Sequence, residues 1–97
     1  MWTVLLHPLM LSEDLKRLDP SVSRQIVQTL RKRLSADPKA YGHPLRDEFA
    51  GLWRLRVGDY RVIYRIVQDR VEVLVLKIGI RRDFEVYRQL VERLKRI

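Results

Sequence analysis

The sequence contains no cysteine, and its only histidines are His7 and His43. The absence of cysteine excludes a disulfide framework, a thiolate nucleophile and a cysteine metal site. The two histidines lie too far apart in sequence for the usual spacing of metal ligands, so neither a metal nor another cofactor is expected. No apolar run reaches the ~18 residues of a membrane span, and the N-terminus lacks the features of a signal peptide. A cytoplasmic protein with no membrane partner is therefore expected.

Acidic residues are also scarce: twelve Asp and Glu stand against twenty Lys and Arg, which gives a net charge of +8. A surface with that imbalance attracts polyanions, and nucleic acid is the leading partner class. Fifteen of the twenty cations are arginines. A guanidinium group makes bidentate contacts with phosphate and stacks on bases, whereas an ammonium group does not. The composition therefore favours phosphate recognition.

The length of 97 residues suits one domain, which we expect to span residues 1–97. Residues 2–6 are rich in β-branched and large apolar side chains and predict a first strand. Residues 9–18 predict a short amphipathic helix, because Leu11, Leu15 and Leu18 recur on one helical stripe. A second, longer helix is predicted to follow, beginning after Asp19.

That second helix is predicted from Pro20 to Ala36. Asp19 can cap the free amides, and proline at the first helical position loses no hydrogen bond. The apolar stripe consists of Val22, Ile26, Val27, Leu30 and Leu34. The two helices are expected to form a hairpin whose apolar stripes face a sheet.

The remaining chain predicts a loop, three strands and a last helix. Residues 37–51 contain prolines and glycines and predict the loop. The strands are predicted at Leu52–Val57, Tyr60–Val67 and Val71–Ile80, and their short separators require antiparallel hairpins. The third run is almost entirely apolar and is expected to lie centrally in the sheet. The last helix carries an apolar stripe of Phe84, Tyr87, Leu90, Val91 and Leu94. The predicted fold class is α+β: an N-terminal strand, a helical hairpin packed on a mostly antiparallel sheet, and a C-terminal helix.

The hairpin from Trp53 to Arg65 concentrates the arginines. Side chains alternate along a strand, so Arg54 and Arg56 share one face, and Arg61 and Arg65 share a face of the next strand. A turn at residues 58–59 would bring Arg54, Arg56 and Arg61 together on one concave surface. Like charges crowded on a sheet are unfavourable unless an anion binds them, and neighbouring aromatic side chains could stack on unpaired bases. The alternative is a solvated strand face with nearby carboxylates as counter-charges.

These residues carry a family resemblance. The run Leu52–Tyr64, preceded by Gly42–Leu45 and followed by Gly79–Tyr87, resembles the RelE/ParE toxin superfamily over essentially the whole chain. The pattern is W-R-x-R-x-G-x-Y-R-x-x-Y followed by R-x-x-x-x-x-Y. The resemblance implies a RelE-like, microbial RNase-like fold. It implies a type II toxin that cleaves mRNA in the ribosomal A site and so inhibits translation.

By that resemblance six arginines and one tyrosine receive a role. Catalytic roles fall to Arg61, Arg81 and Tyr87, and RNA-binding roles to Arg54, Arg56, Arg65 and Arg82, with Arg82 also a register alternative for Arg81. The implied reaction is metal-independent attack by a 2′-hydroxyl on the adjacent phosphate. RelE carries lysines where this chain has Arg54 and Arg56, and a guanidinium group is a poor base. Proton abstraction is therefore expected to rest on Tyr87, or to depend on the ribosome and substrate.

Other functions stay open. A ParE-like, non-enzymatic inhibitor of DNA gyrase would use the same scaffold, and so would a module that only binds nucleic acid. Tyr87 itself lies on an apolar helical stripe, where a tyrosine is usually part of the core. The partners implied by the resemblance are a cognate antitoxin, mRNA and the ribosome, with operator DNA reached only through the antitoxin complex.

Overall fold

The computed structural model describes residues 1–80 and 85–97, and within them one sheet has the strand order β1-β5-β4-β3-β2. The strands are β1 (Thr3–Leu6), β2 (His43–Pro44), β3 (Leu52–Val57), β4 (Tyr60–Val67) and β5 (Glu72–Ile80). β1 pairs with β5 in parallel, whereas the β2–β3, β3–β4 and β4–β5 pairs are antiparallel. This confirms the predicted α+β class and the mostly antiparallel sheet, with β5 as an interior strand.

β3 and β4 start and end at the predicted residues. Gly58 begins their two-residue turn with a φ of +57°, a backbone conformation that glycine adopts without a Cβ clash. β5 begins one residue later than predicted. Val71 has a φ of +53° at the end of a 3₁₀ turn, and this conformation cannot continue a strand.

The long helix is confirmed as α1 (Pro20–Ala36), and the Asp19 side chain accepts a hydrogen bond from the Ser21 amide. Ile26, Leu30 and Leu34 of α1 are buried against one face of the sheet. The C-terminal helix, numbered α3 (Glu85–Lys95), covers the other face, where Val86 and Leu90 are buried. The two sides of the sheet are therefore occupied by different helices.

The first helical segment departs from the prediction. Met10–Asp14 forms a π-helical turn, in which the Leu15 amide donates to the Met10 carbonyl, and a 3₁₀ turn follows. A π turn is wider than an α turn, so it rotates a different set of residues toward the core. Met10 and Asp14 are buried, whereas Leu11, predicted on the apolar stripe, is 45% exposed.

Residues 37–51 are more ordered than the predicted loop. They contain the short helix α2 (Pro38–Tyr41), strand β2 and a 3₁₀ turn at Asp47–Phe49. The buried Tyr64 hydroxyl donates to the Pro38 carbonyl at 2.6 Å, which ties α2 to the sheet. Gly42 packs so closely on this hydroxyl that a Cβ there would lie 1.8 Å from it. Tyr64 and Gly42 are far apart in sequence, so local pattern could not predict the contact.

A buried ionic cluster joins the first helical segment, β5 and α3. The Asp14 carboxylate accepts hydrogen bonds from Lys77 Nζ at 2.8 Å, from Arg93 Nη2 at 2.8 Å and from the Ile78 amide at 2.8 Å. Arg93 also donates to the Leu76 carbonyl at 3.0 Å. A buried charge is tolerated when it is paired and hydrogen-bonded, and Asp14 meets that condition. The cluster therefore fixes α3 on the sheet.

Candidate active site

The arginines of the β3–β4 hairpin lie on the face of the sheet that α3 covers. Leu55 and Val62 of this hairpin point into the core beside α1, so the alternate positions Arg54, Arg56 and Arg61 point the other way. Arg56 is directly opposite Arg61 in the strand register. Cβ atoms at such positions are ~4.5 to 5.5 Å apart, so this surface concentrates positive charge.

Tyr87 meets these arginines from α3. Arg54 Nη1 and Arg61 Nη1 each donate to the Tyr87 hydroxyl oxygen at 3.3 Å. The Arg61 guanidinium carbon also lies 5.6 Å from the centroid of the Tyr87 ring, which is within the range of a cation–π contact. We call Arg54, Arg61 and Tyr87 the arginine–tyrosine cluster.

The cluster has unused hydrogen-bonding capacity. The Tyr87 oxygen accepts from two guanidinium groups, so its own hydroxyl proton points elsewhere. The Nε atoms of Arg54 and Arg61 are buried, and neither has an acceptor among residues 1–80 and 85–97. Buried donors without acceptors are rare in folded proteins. An anion with several oxygens, such as a phosphodiester, would supply them.

A second acidic residue, Glu13, extends the ionic cluster on α3, the helix that also carries Tyr87. Arg93 Nη2 reaches Glu13 Oε1 at 3.3 Å as well as Asp14, and Arg96 pairs with Glu13 at 2.5 Å. The hydrogen bond from Arg96 lowers the pKa of Glu13 from 4.5 to about 2, and the nearby charge of Arg93 contributes. The same hydrogen bond raises the pKa of Arg96.

The sequence contains a signal for this ionic cluster that periodicity alone does not reveal. Arg93 falls three residues after the buried Leu90 on the same helical stripe, and Lys77 interrupts the otherwise apolar run from Val73 to Ile80 in β5. A cation at a core position needs a buried anion. Asp14 supplies that anion, but only the unexpected π turn turns it inward.

The other predicted site residues lie in different surroundings. Arg65 shares the arginine face but is four residues from Arg61, or about 13 Å along the strand. It is exposed beside Leu52 and Leu74 and does not join the cluster. Arg81 and Arg82 lie outside the described residues.

The aromatic residues of the hairpin lie on the face opposite the arginines, as the alternation of side chains along the strands predicts. Trp53, Tyr60 and Tyr64 pack into the core on the α1 side, and the Trp53 and Tyr64 rings stack with centroids 6.5 Å apart. Strand alternation requires this, because these positions alternate with the arginines along the strands. Among residues 1–80 and 85–97, the Tyr87 ring contacts Arg61 on the arginine face, and the Phe49 ring lies with its centroid 5.9 Å from that of Tyr87.

Neither a membrane helix nor a metal cluster is found in the described part of the chain. No helix there is both long and apolar enough to cross a bilayer. No group of three or more His, Cys, Asp or Glu residues is placed to hold a metal ion among residues 1–80 and 85–97.

The sequence of this chain matches the model of a known protein family. The family model described as "ParE toxin of type II toxin-antitoxin system, parDE" matches residues 6–83. This chain belongs to that toxin family. Two of its relatives come from Mycobacterium tuberculosis. Toxin RelG is 37% identical over 78% of this chain and 85% of its own length, and Toxin RelE is 34% identical over 70% of each.

Solved structures of RelE toxins share the fold. The toxin–antitoxin complex RelBE2 from Mycobacterium tuberculosis matches with a TM-score of 0.77 and 34% identity, over 82% of this chain and 98% of that chain. A mutant of the E. coli toxin RelE in the free state matches with a TM-score of 0.70 over 99% and 97% of the two chains. Its identity of 22% supports the shared fold alone. The resemblance seen in the sequence is thus confirmed, and the chain is a type II toxin of the RelE family.

Proposed function

We propose that this RelE-family toxin is an endoribonuclease that cleaves mRNA in the ribosomal A site and so inhibits translation. The observation that carries the proposal is the arginine–tyrosine cluster, in which two guanidinium groups from neighbouring strands meet one phenol oxygen within 3.3 Å. Cleavage by a 2′-hydroxyl needs cations around a phosphate and a group that handles the proton. The cluster contains both.

In the proposed reaction the RNA 2′-oxygen attacks the adjacent phosphorus and the 5′-oxygen leaves. Arg61 would neutralise the non-bridging oxygens, while Arg54 and Arg56 hold the strand. At least one guanidinium group would turn from Tyr87 to the phosphate, which frees a lone pair on the phenol oxygen. That oxygen would accept the 2′-hydroxyl proton as its own proton passes to the leaving oxygen. The products are a 5′-hydroxyl end and a 2′,3′-cyclic phosphate, which water can then hydrolyse to a 3′-phosphate and a free 2′-hydroxyl.

Tyr87 is proposed for the proton transfer because the arginines are unsuited to it. A guanidinium group stays protonated in proteins and has no lone pair to offer. The phenol oxygen is held at the centre of the positive charge and close to the expected phosphate. Arg81 is proposed to support the leaving oxygen, and Arg65 and Arg82 are proposed to bind RNA outside the cluster.

The proposal includes partners and a location. The Mycobacterium tuberculosis relative was solved as a toxin–antitoxin complex. We therefore propose that a cognate antitoxin binds this toxin as well, and that operator DNA is reached only through that complex. The mRNA and ribosome targets require a cytoplasmic protein, and one domain of residues 1–97 would carry the activity. No metal ion is required for the proposed steps.

The test is to induce the toxin briefly and map mRNA ends by primer extension. Wild-type protein is expected to produce cuts within codons, whereas Arg61→Ala and Tyr87→Ala are expected to leave the mRNA intact and remain folded. Full toxicity in both variants would refute the residue assignment. A folded variant is recognised by its wild-type circular dichroism spectrum.

A second candidate function is the ParE-like inhibition of DNA gyrase, because the description of the matching family model names the ParE toxin. This function would need binding but no cleavage. Induction would then cause DNA-damage signalling while the mRNA stays intact. The same induction experiment separates the two functions if both readouts are taken.

A further inference from the structure

A groove with a different chemical character opens beside the arginine–tyrosine cluster. Its apolar part is formed by Phe49, Tyr87 and Val91, and its volume is about 590 Å³. Sites for small organic groups typically measure ~300 to 1,000 Å³. Tyr87 lines the groove and also belongs to the cluster, so the two sites are continuous.

The charges around this groove cancel. Arg46 and Arg88 line it, but Asp47 and Glu48 line it too. A phosphate group would meet two carboxylates there, whereas the cluster on the other side of Tyr87 offers it cations. A neutral, planar group suits the groove better, because its faces can stack on an aromatic ring and its edge can hydrogen-bond to carboxylates.

The backbone beneath the groove is held in an unusual conformation. Asp47 has a φ of +54°, a left-handed conformation that is uncommon for residues with a Cβ, although aspartate adopts it more often than most. It begins the 3₁₀ turn that ends at Phe49 and sets that ring 5.9 Å from the Tyr87 ring. Strained residues of this kind cluster at binding sites, where the surrounding structure maintains them.

From these observations we propose that the groove is a nucleobase subsite, in which one base of the RNA substrate stacks on Phe49. The base would belong to a nucleotide next to the scissile phosphate, whose diester lies in the cluster. The Phe49 and Tyr87 rings are too close for a base to be inserted between them, since a stacked base needs ~3.4 Å on each side. The base therefore stacks on the open side of Phe49. This inference rests on the proposed function.

The experiment measures toxin binding to ribosomes whose A-site codon carries 2′-deoxy nucleotides, so that binding is not followed by cleavage. Stacking on an aromatic side chain contributes ~1 to 3 kcal/mol, which corresponds to roughly 5- to 150-fold in Kd. Phe49→Leu is expected to raise Kd by that factor, and Phe49→Trp to keep it near the wild-type value. Tyr41→Leu removes an exposed ring outside the groove and serves as the matched control.

A second set of substrates carries one abasic nucleotide at each codon position in turn. At one codon position, removing the base is expected to raise the Kd of the wild-type toxin about as much as Phe49→Leu does. At that position, removing the base should change the Kd of the Phe49→Leu variant little. A Kd for Phe49→Leu equal to that of wild type would overturn the subsite. So would a result in which the losses from Phe49→Leu and from the missing base multiply at every codon position. If Phe49→Leu is poorly folded, Phe49→Met takes its place.

The two proposals can fail separately. Wild-type toxin that cleaves unmodified mRNA, together with a Phe49→Leu variant that binds like wild type, overturns the subsite alone. Wild-type toxin that neither binds programmed ribosomes nor cleaves mRNA overturns the proposed function, and the subsite with it.

Discussion

The phenol oxygen of Tyr87 is the atom on which the proposed chemistry depends. Tyr87→Phe removes that oxygen and leaves the ring that contacts Phe49 and Arg61. We expect single-turnover cleavage of mRNA on ribosomes to slow by ~10²- to 10⁴-fold, the usual contribution of a positioned proton-transfer group. Tyr41→Phe, at an exposed tyrosine outside the cluster, should cleave at the wild-type rate. A Tyr87→Phe variant as fast as wild type would remove Tyr87 from the proton transfer.

Val71 is a residue at which the fold accepts strain. It is 46% exposed and β-branched, and its φ of +53° is unfavourable for any side chain with a Cβ. The left-handed conformation costs an L-residue ~1 to 2 kcal/mol, and glycine avoids most of this. Val71→Gly is therefore expected to raise the free energy of unfolding in urea by about 1 kcal/mol. Val71→Ala keeps the Cβ and should not; equal stabilisation by both variants would mean that φ is not the cause.

At the scale of elements, α3 is held on the sheet by the ion pair between its Arg93 and Asp14, a residue far away in sequence. Asp14→Asn would leave the buried Lys77 without its anion and Arg93 with only the partly exposed Glu13. Breaking a buried pair in this way costs ~3 to 5 kcal/mol in the free energy of unfolding. The matched control, Glu92→Gln, breaks an exposed contact with Lys95 and should cost less than ~1 kcal/mol. Similar losses in the two variants would argue that the Asp14 cluster does not anchor α3.

The outer part of this cluster should respond to acid. The pKa of Glu13 is lowered to about 2 by Arg96, so its contribution to stability is complete above pH ~4.5 and is lost as the pH falls toward 2. The stability difference between wild type and Glu13→Gln should therefore be largest at pH ~5 and vanish near pH ~2 in urea unfolding. Arg96→Met should remove most of the same pH dependence. A difference that grows as the pH falls would contradict the pairing.

Sequence reasoning predicted the elements that local pattern determines. β3, β4 and α1 follow from strand alternation and from the Asp19 cap, and the shared face of Arg54 and Arg61 follows from the same alternation. The first helical segment was predicted as an amphipathic helix but contains a π turn, because the spacing of apolar residues does not reveal a π turn. The contact between Arg54 and Tyr87 joins residues 33 positions apart. It depends on how α3 lies on the sheet, which the Asp14 cluster decides.

The charge of the whole molecule should govern how it meets RNA. A protein that neutralises phosphates releases counterions, so its affinity falls as salt rises, by ~0.7 in log–log slope for each single-strand phosphate contact. Binding of a single-stranded RNA oligomer should weaken steeply between low and moderate salt. Arg61→Met should reduce the slope by about that amount, while Arg70→Met, in the exposed turn before β5, should leave it nearly unchanged. Equal slopes in the two variants would place the phosphate contacts elsewhere.

The molecule as a whole combines a cationic surface for phosphate, an aromatic groove whose charges cancel and a helix fixed by buried ions. Its proposed reaction is tested most directly by the ends of the RNA that it produces. Purified toxin is added to ribosomes carrying mRNA, or the same mRNA with a 2′-deoxy nucleotide at the cut site. We expect a 5′-hydroxyl and a 2′,3′-cyclic or 3′-phosphate from the first, and no cut in the second. Cleavage of the 2′-deoxy mRNA, a 5′-phosphate product, or intact mRNA in both reactions would contradict the proposed mechanism.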